Sequence, residues 1–317
     1  MRAATYNSYG PPEVLKITDV ETPYIKDDDR VLIKVHNASV NAYDNLFRKG
    51  YLPTRLENGL TKPKNHILGI DVSGTVEAVG KNVNRFKEGD IVFGSCLGSH
   101  AEYVSPRQDV LSLMPKNANF AEAAAIPCAA QTALQALRDV AQIKHGQCVL
   151  IYGASGGVGH FAVQLAKYFG TEVTAVCSTS NLQLVKDLGA HYVIDYTKED
   201  FTDNGKKYDV ILDAVGKMTF FSCLRSLTEN GVYITEHPIY PKYHPLQLMI
   251  SSLIGRKKAK AHLAKPNFSD LEFLSRLMEE EKVKPIIEKC YPLEQIVEAH
   301  RHIESGHTKG KIVLNIK

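Results

Sequence analysis

The chain has 317 residues, enough for two domains rather than a single core. It is 44% hydrophobic and 23% charged with a formal net charge of +3, which excludes a disordered chain and gives no general attraction to nucleic acid or anionic membranes. Six cysteines, Cys96, Cys128, Cys148, Cys177, Cys223 and Cys290, form no CxxC pair, so reduced thiols in a cytoplasmic protein are expected.

MRAATY at the start runs directly into a strand pattern, without a basic and then apolar leader. No apolar run approaches the roughly 18–20 residues that a membrane span needs. The expectation is therefore a cytoplasmic protein with no membrane span and no nucleic-acid partner. The basic run Arg256-Lys257-Lys258-Ala259-Lys260 reads as a solvated strand edge or loop.

In chain order, residues 31–36, 69–80, 91–94 and 101–105 read as short strands separated by Gly, Pro and acidic turns. That spacing suggests a small, mostly β, barrel-like domain. From Phe120 the chain is alanine-rich and helical, interrupted at Pro127. Strands and helices then alternate: strands at 148–153, 172–177, 191–195, 208–213 and 231–236, with helices at 157–170 and 181–190. The near-continuous apolar runs CVLIY and DVIL are those of strands covered on both faces. The fold class is thus α/β, a doubly wound parallel Rossmann sheet. A helix at 268–281 precedes KPIIEKCYPL, a helix at 294–305 and the strand KIVLNI, which most simply rejoin the first domain. The expected division is 1–118 with 284–317 for the barrel-like domain, and 119–283 for the nucleotide-binding domain.

Ala154, Ser155, Gly156, Gly157, Val158 and Gly159 lie between a buried strand and a helix, in the place of a dinucleotide fingerprint with Ala first. The small first residue allows the tight turn. Gly156 lets backbone approach a pyrophosphate, Gly159 lets helix and strand pack closely, and the helix N-terminus aims free N–H groups at the anion. An NAD-selective site would place an acid at the end of the next strand. Here that stretch is Cys177-Ser178-Thr179-Ser180-Asn181, with no acid from 173 through 186. Hydroxyls and amides can donate hydrogen bonds to a 2′-phosphate and no carboxylate repels it, so NADPH is expected, with NADH possible.

GASGGVGHFAVQLAK, AAAIPCAAQTALQAL, GIDVSGTVEAVG, VNAYDNLFRKG and the tail from LEFLSRL to GKIVL together carry a family likeness. Over essentially its whole length the chain resembles the zinc-free quinone oxidoreductase branch of the medium-chain dehydrogenase/reductases, and most nearly the chloroplast-envelope quinone oxidoreductase homologues and plant enone reductases. The resemblance implies a GroES-like barrel domain built from both chain ends, and hydride transfer to an α,β-unsaturated carbonyl or a quinone. At the positions matching the metal ligands of its alcohol dehydrogenases stand Asn41, Ile70 and Cys128. One thiol without an imidazole cannot make the usual three-ligand zinc site, so no metal is expected.

The resemblance further implies 2′-phosphate contacts from Ser178, Thr179, Ser180 and Asn181, although relatives often carry Arg or Lys where this chain has Ser180. It places Tyr196 over the adenine end, Asp213, Val215 and Gly216 at the ribose–nicotinamide crevice, and His307 and Thr308 in a late cofactor-contacting loop. Asn41 is the leading polar candidate near the nicotinamide. Tyr43, Tyr51 and Tyr240 are phenols that could donate a proton, Tyr51 being kept as a catalytic candidate. Asp44 and Arg48 have the spacing of a helical ion pair. Residues 237–255 match a pocket-shaping region but equally suit an oligomer contact, and a homodimer is the expected assembly. Two alternatives remain open: a reductase of another carbonyl class, and a dinucleotide-binding regulator or structural protein without turnover.

Overall fold

The chain divides into two compact units, and the computed structural model describes residues 1–236, 249, 251 and 256–317. The first unit comprises Met1–Cys128, Pro266–Glu281 and Pro285–Lys317; the second comprises Ala129–Lys265 with Lys282–Lys284.

The first unit opens with an antiparallel hairpin of β1 (Arg2–Thr5) and β2 (Lys16–Asp19). Strand β3 (Val31–Val40) follows, its alternate residues Val31, Ile33 and Val35 fully buried, as the period of two requires of a half-covered strand. It pairs antiparallel with β4 (Asp71–Val79), which pairs with β5 (Ile91–Ser95). The two-residue strand β6 (Tyr103–Val104) pairs with β3, and β7 (Leu111–Leu113) closes on β5.

The second unit holds β8 (Cys148–Tyr152), β9 (Glu172–Cys177), β10 (Tyr192–Asp195), β11 (Tyr208–Asp213), β12 (Leu227–Thr235) and β13 (Lys258–Ala261). They form a wholly parallel sheet in the order β10-β9-β8-β11-β12-β13, the doubly wound order with its switch point between β8 and β11. Helix Gly159–Tyr168 packs on β8 and β9, and helix Leu182–Asp187 on β9 and β10. Lys258, Ala259 and Lys260 of the basic run lie in β13, the last strand of this order among the described residues.

Strands β14 (Ile287–Pro292) and β15 (Lys311–Asn315) complete the first unit's sheet, β15 running antiparallel to β3. Residues 119–128 and 266–281 also group with this unit, which differs from the division expected at 118/119 and 283/284. The reason is packing: helix Phe120–Ala124 lies on β3, β4 and β15, and helix Phe268–Glu279 lies on β7.

Two short helices, Ala42–Lys49 and Leu52–Asn58, interrupt what reads as a run of strands and turns. Asp44 starts the first by accepting the backbone N–H of Asn41 at 2.7 Å, and Gly50, at φ +65°, ends it in the left-handed conformation. The Asp44–Arg48 pair expected from their spacing does not form. Asp44 instead accepts the Asn41 and Gly69 N–H groups, while the fully buried Arg48 pairs with Glu304.

Candidate functional site

In the second unit, β8 ends at Tyr152 and the chain turns through Gly153, at φ +79°, into helix Gly159–Tyr168. Gly153 and Ala154 both donate backbone N–H to Val176 O, at 3.1 and 3.0 Å, which fixes the turn against β9. Ala154 is fully buried, consistent with its small-residue role. A Cβ on Gly159 would lie 2.1 Å from Gly153 O, so only glycine fits there. Gly156 is different. A Cβ there would meet nothing closer than Gly153 O at 3.4 Å, an ordinary contact. The chain's own packing does not require glycine at 156, and the space beside it is left for something else. Gly157 and Val158 complete the turn into the helix.

Ser155, Ser178 and Asn181 are tied together: Asn181 Nδ2 donates to Ser155 Oγ at 3.0 Å and to Ser178 Oγ at 3.2 Å. Asn181 is therefore a buried brace between the glycine-rich turn and the loop after β9, and its Oδ1 has no partner. Thr179 donates its hydroxyl to Asp195 Oδ2 at 2.5 Å, and Ser178 and Ser180 share a 3.4 Å contact. Hydrogen bonds from Thr179 and then Thr197 hold the Asp195 carboxyl down to about 2. Lys198 Nζ lies 3.4 Å from the same carboxylate. Sequence reading finds no cation within 177–181, yet the turn after β10 brings one beside that loop.

Tyr196 is half-exposed and lines a cavity of about 350 Å³ with Tyr152, Val176, Lys198, Phe201 and Met218, in the size range of small-molecule sites. Asp213 sits at the end of β11. Its carboxylate is fully buried and accepts the N–H groups of Val215, Gly216 and Met218 and the Tyr233 hydroxyl. Asp213 thus shapes the Val215–Gly216 backbone rather than presenting an open side chain.

The first unit has a polar centre of its own. Asp71 Oδ2 accepts Ser39 Oγ at 2.5 Å, Asn41 Nδ2 at 3.0 Å and Lys311 Nζ at 3.3 Å, while Oδ1 accepts the Cys128 N–H at 2.7 Å. Lys311 also donates to Asn41 Oδ1. Asn41 is thus oriented by this network. The sequence gives little warning of Lys311, because a lysine opening a strand normally reads as a solvated end. Burial pushes the Asp44 carboxyl above its ordinary range, against the His100 charge and the two N–H donors. Among the described residues no group of three or more His, Cys, Asp or Glu could hold a metal ion.

Tyr51 stands at the start of helix Leu52–Asn58, its carbonyl accepting the Thr54 hydroxyl at 2.7 Å. Burial pushes the Tyr43 phenol up to about 12, with Glu57, Cys128 and Asp44 adding to the rise, which makes it a reluctant acid. His307 and Thr308 belong to the first unit, in the turn before β15. His307 is exposed, and Thr308 Oγ1 is buried without a partner. Tyr240 and the 237–255 segment, apart from Met249 and Ser251, lie outside the described residues.

Residues 27–134 match the family described as alcohol dehydrogenase GroES-like domain, and residues 188–314 the family described as zinc-binding dehydrogenase. The chain is 36% identical to the 2-methylene-furan-3-one reductase of Solanum lycopersicum, over 99% of this chain and 79% of that protein. It is 34% identical to the NADPH-dependent alkenal/one oxidoreductase, chloroplastic, of Arabidopsis thaliana, with the same two coverages. Among solved structures, the quinone oxidoreductase from Coxiella burnetii superposes with a TM-score of 0.90 at 34% identity, covering 100% of this chain and 99% of that one.

Proposed function

The chain belongs to the quinone oxidoreductase-like group of the medium-chain dehydrogenase/reductase superfamily, and from that premise we propose that it is an NADPH-dependent reductase of α,β-unsaturated carbonyls or quinones. The observation that carries the reading is the space beside Gly156, which the fold leaves free at the start of a helix in a doubly wound sheet. When bound, NADPH supplies a hydride to the electrophilic carbon of the enone or quinone.

The protein's own residues bind, orient and stabilise. The turn from Ala154 to Gly159 cradles the pyrophosphate. Ser178, Ser180 and Lys198 face the 2′-phosphate, and Tyr196 covers the adenine beside the cavity of the second unit. The backbone held by Asp213 at Val215 and Gly216 meets the ribose–nicotinamide portion, and His307 and Thr308 complete the cofactor contacts. NADH remains possible, since Thr179 gives its only proton to Asp195 and has none for a phosphate. Asn41 is the polar group offered to the substrate's oxygen, which becomes negative as hydride arrives. Water or a hydroxyl, with Tyr51 the side-chain candidate, returns a proton to the neighbouring carbon.

The reaction needs no zinc in this reading. At the corresponding positions the chain offers an amide, an isoleucine and a thiol, and the Lys311 ammonium lies within reach of the adjacent Asp71. A cation already held there repels a second one. The description zinc-binding dehydrogenase for residues 188–314 thus names a superfamily trait whose ligands these positions lack. A homodimer and cytoplasmic residence are part of the same proposal; among the described residues no helix is long and apolar enough to cross a membrane.

The deciding experiment is NADPH consumption with a panel of enones, quinones and simple aldehydes. Turnover confined to enones or quinones supports the reading. Turnover of aldehydes alone would move it to another carbonyl class, and cofactor binding without turnover to a non-catalytic role.

A further inference from the structure

Lys311 opens β15 with its side chain only 3% exposed, ahead of the fully buried Ile312, Val313 and Leu314. A buried Lys–Asp pair gives no clear stability advantage over an apolar filling of the same volume, so the pair at this position calls for a reason other than packing. Two of the three ammonium hydrogens go to Asn41 Oδ1 and Asp71 Oδ2, and the third has no partner among the described residues.

The arrangement orients one side chain. Asn41 has its Oδ1 against the ammonium and its Nδ2 against the carboxylate. A flipped amide would set N–H against ammonium and oxygen against carboxylate, so only one orientation is tolerated. One Nδ2 hydrogen is held by Asp71 at 3.0 Å, whereas the other has only the long 3.4 Å approach to Ser39 Oγ. An ammonium on the amide oxygen also withdraws charge from the nitrogen and makes its N–H a stronger donor.

We propose that Lys311 is a positioning residue that fixes and polarises the Asn41 carboxamide, making the loosely held Nδ2 hydrogen the donor to the substrate's carbonyl oxygen. This rests on the reductase reading. In the step it would serve, the carbon–hydrogen bond of the nicotinamide would break to leave NADP+, its hydride would bond to the β-carbon, and the carbon–carbon π pair would shift to give an enolate whose oxygen Asn41 would receive. Water would then protonate the α-carbon and leave as hydroxide. Lys311 gives up no proton, so its effect is on rate and not on stoichiometry.

The test compares Lys311→Met, the charge-neutral double variant K311M/D71N and Lys311→Arg by melting temperature, NADPH dissociation constant, kcat and the nitrogen-15 signal of the Asn41 side chain. The double variant removes both buried charges together. It should melt near the wild type and bind NADPH within about twofold, yet lose at least about tenfold in kcat, the usual scale for removing a supporting partner. The Asn41 amide signal should shift in Lys311→Met and in the double variant. Lys311→Arg, which keeps the charge, should recover most of kcat.

A double variant with wild-type kcat and an unmoved Asn41 signal would overturn the proposal, as would an arginine variant no faster than methionine. A wild type that binds NADPH but reduces nothing would sink the reductase reading. The Asn41 signal would then still decide whether Lys311 fixes that amide, and an unmoved signal would overturn the positioning role by itself.

Discussion

Thr179 donates its hydroxyl to the Asp195 carboxylate at 2.5 Å, which removes Thr179 from the donors that could meet a 2′-phosphate. Ser178 and Ser180 remain, with Lys198 held 3.4 Å from Asp195. Replacing Ser178 with Asp adds a carboxylate that grips a ribose diol and repels a phosphate. A charge-assisted hydrogen bond contributes roughly 1.5–3 kcal/mol, and about 1.4 kcal/mol is tenfold in affinity. The ratio of kcat/KM values should therefore move at least about tenfold toward NADH, measured at fixed ionic strength because salt screens the phosphate term. An unchanged ratio would place the ribose elsewhere.

The two outer glycines of the loop make opposite predictions. Gly156→Val meets no protein atom closer than Gly153 O at 3.4 Å from its Cβ, so its melting temperature should stay close to that of the wild type. The side chain would fill the pyrophosphate cradle, so NADPH affinity should fall by about tenfold or more. Gly159→Ala drives a Cβ to 2.1 Å from Gly153 O and should lower stability itself. Calorimetric titration with thermal melts separates the two effects. Normal NADPH binding by Gly156→Val would reduce the loop to a turn.

How much of this was readable in the sequence follows from how local each feature is. Strands β8 and β11 announce themselves because burial on both faces demands near-continuous apolar runs, and the glycine loop is contiguous. The Lys311–Asn41 contact joins residues 270 positions apart, and no local pattern marks a lysine whose partners come from other strands. The role of the Asp213 carboxylate is hidden for a related reason: three backbone N–H groups of the following turn occupy it, which no sequence pattern announces. Helix Ala42–Lys49 hides because its start depends on Asp44 reaching back to Asn41 and across to Gly69, and only the first of those contacts is local.

Metal content gives a third check. With an ammonium at Asp71 and no cluster of three ligating side chains among the described residues, purified protein should carry well below one zinc per chain. Activity should survive a strong chelator. Stoichiometric zinc with chelator-sensitive turnover would reverse the reading of Asn41, Ile70 and Cys128.

The last prediction concerns His300, fully buried in helix Ile296–Glu304 with its Nδ1 2.8 Å from Asn45 Oδ1 and 3.4 Å from Arg48 Nε. Burial first, then the His100 and Arg48 charges, hold its pKa well below the ordinary 6.5. The unfolded chain accepts the proton near 6.5 while the folded one refuses it, so protonation favours unfolding. The contribution is complete above pH 6.5 and lost as the pH falls below it. One proton taken up by the unfolded chain alone corresponds to a limiting slope of about 1.4 kcal/mol per pH unit below pH 6.5. His300→Gln can keep the contact to Asn45 without a titrating ring, and should show a pH dependence shallower by that amount. Urea unfolding of both proteins at pH 7.5 and pH 5.0 measures it. Equal losses in the two would mean that His300 takes up its proton in the folded protein as readily as in the unfolded chain.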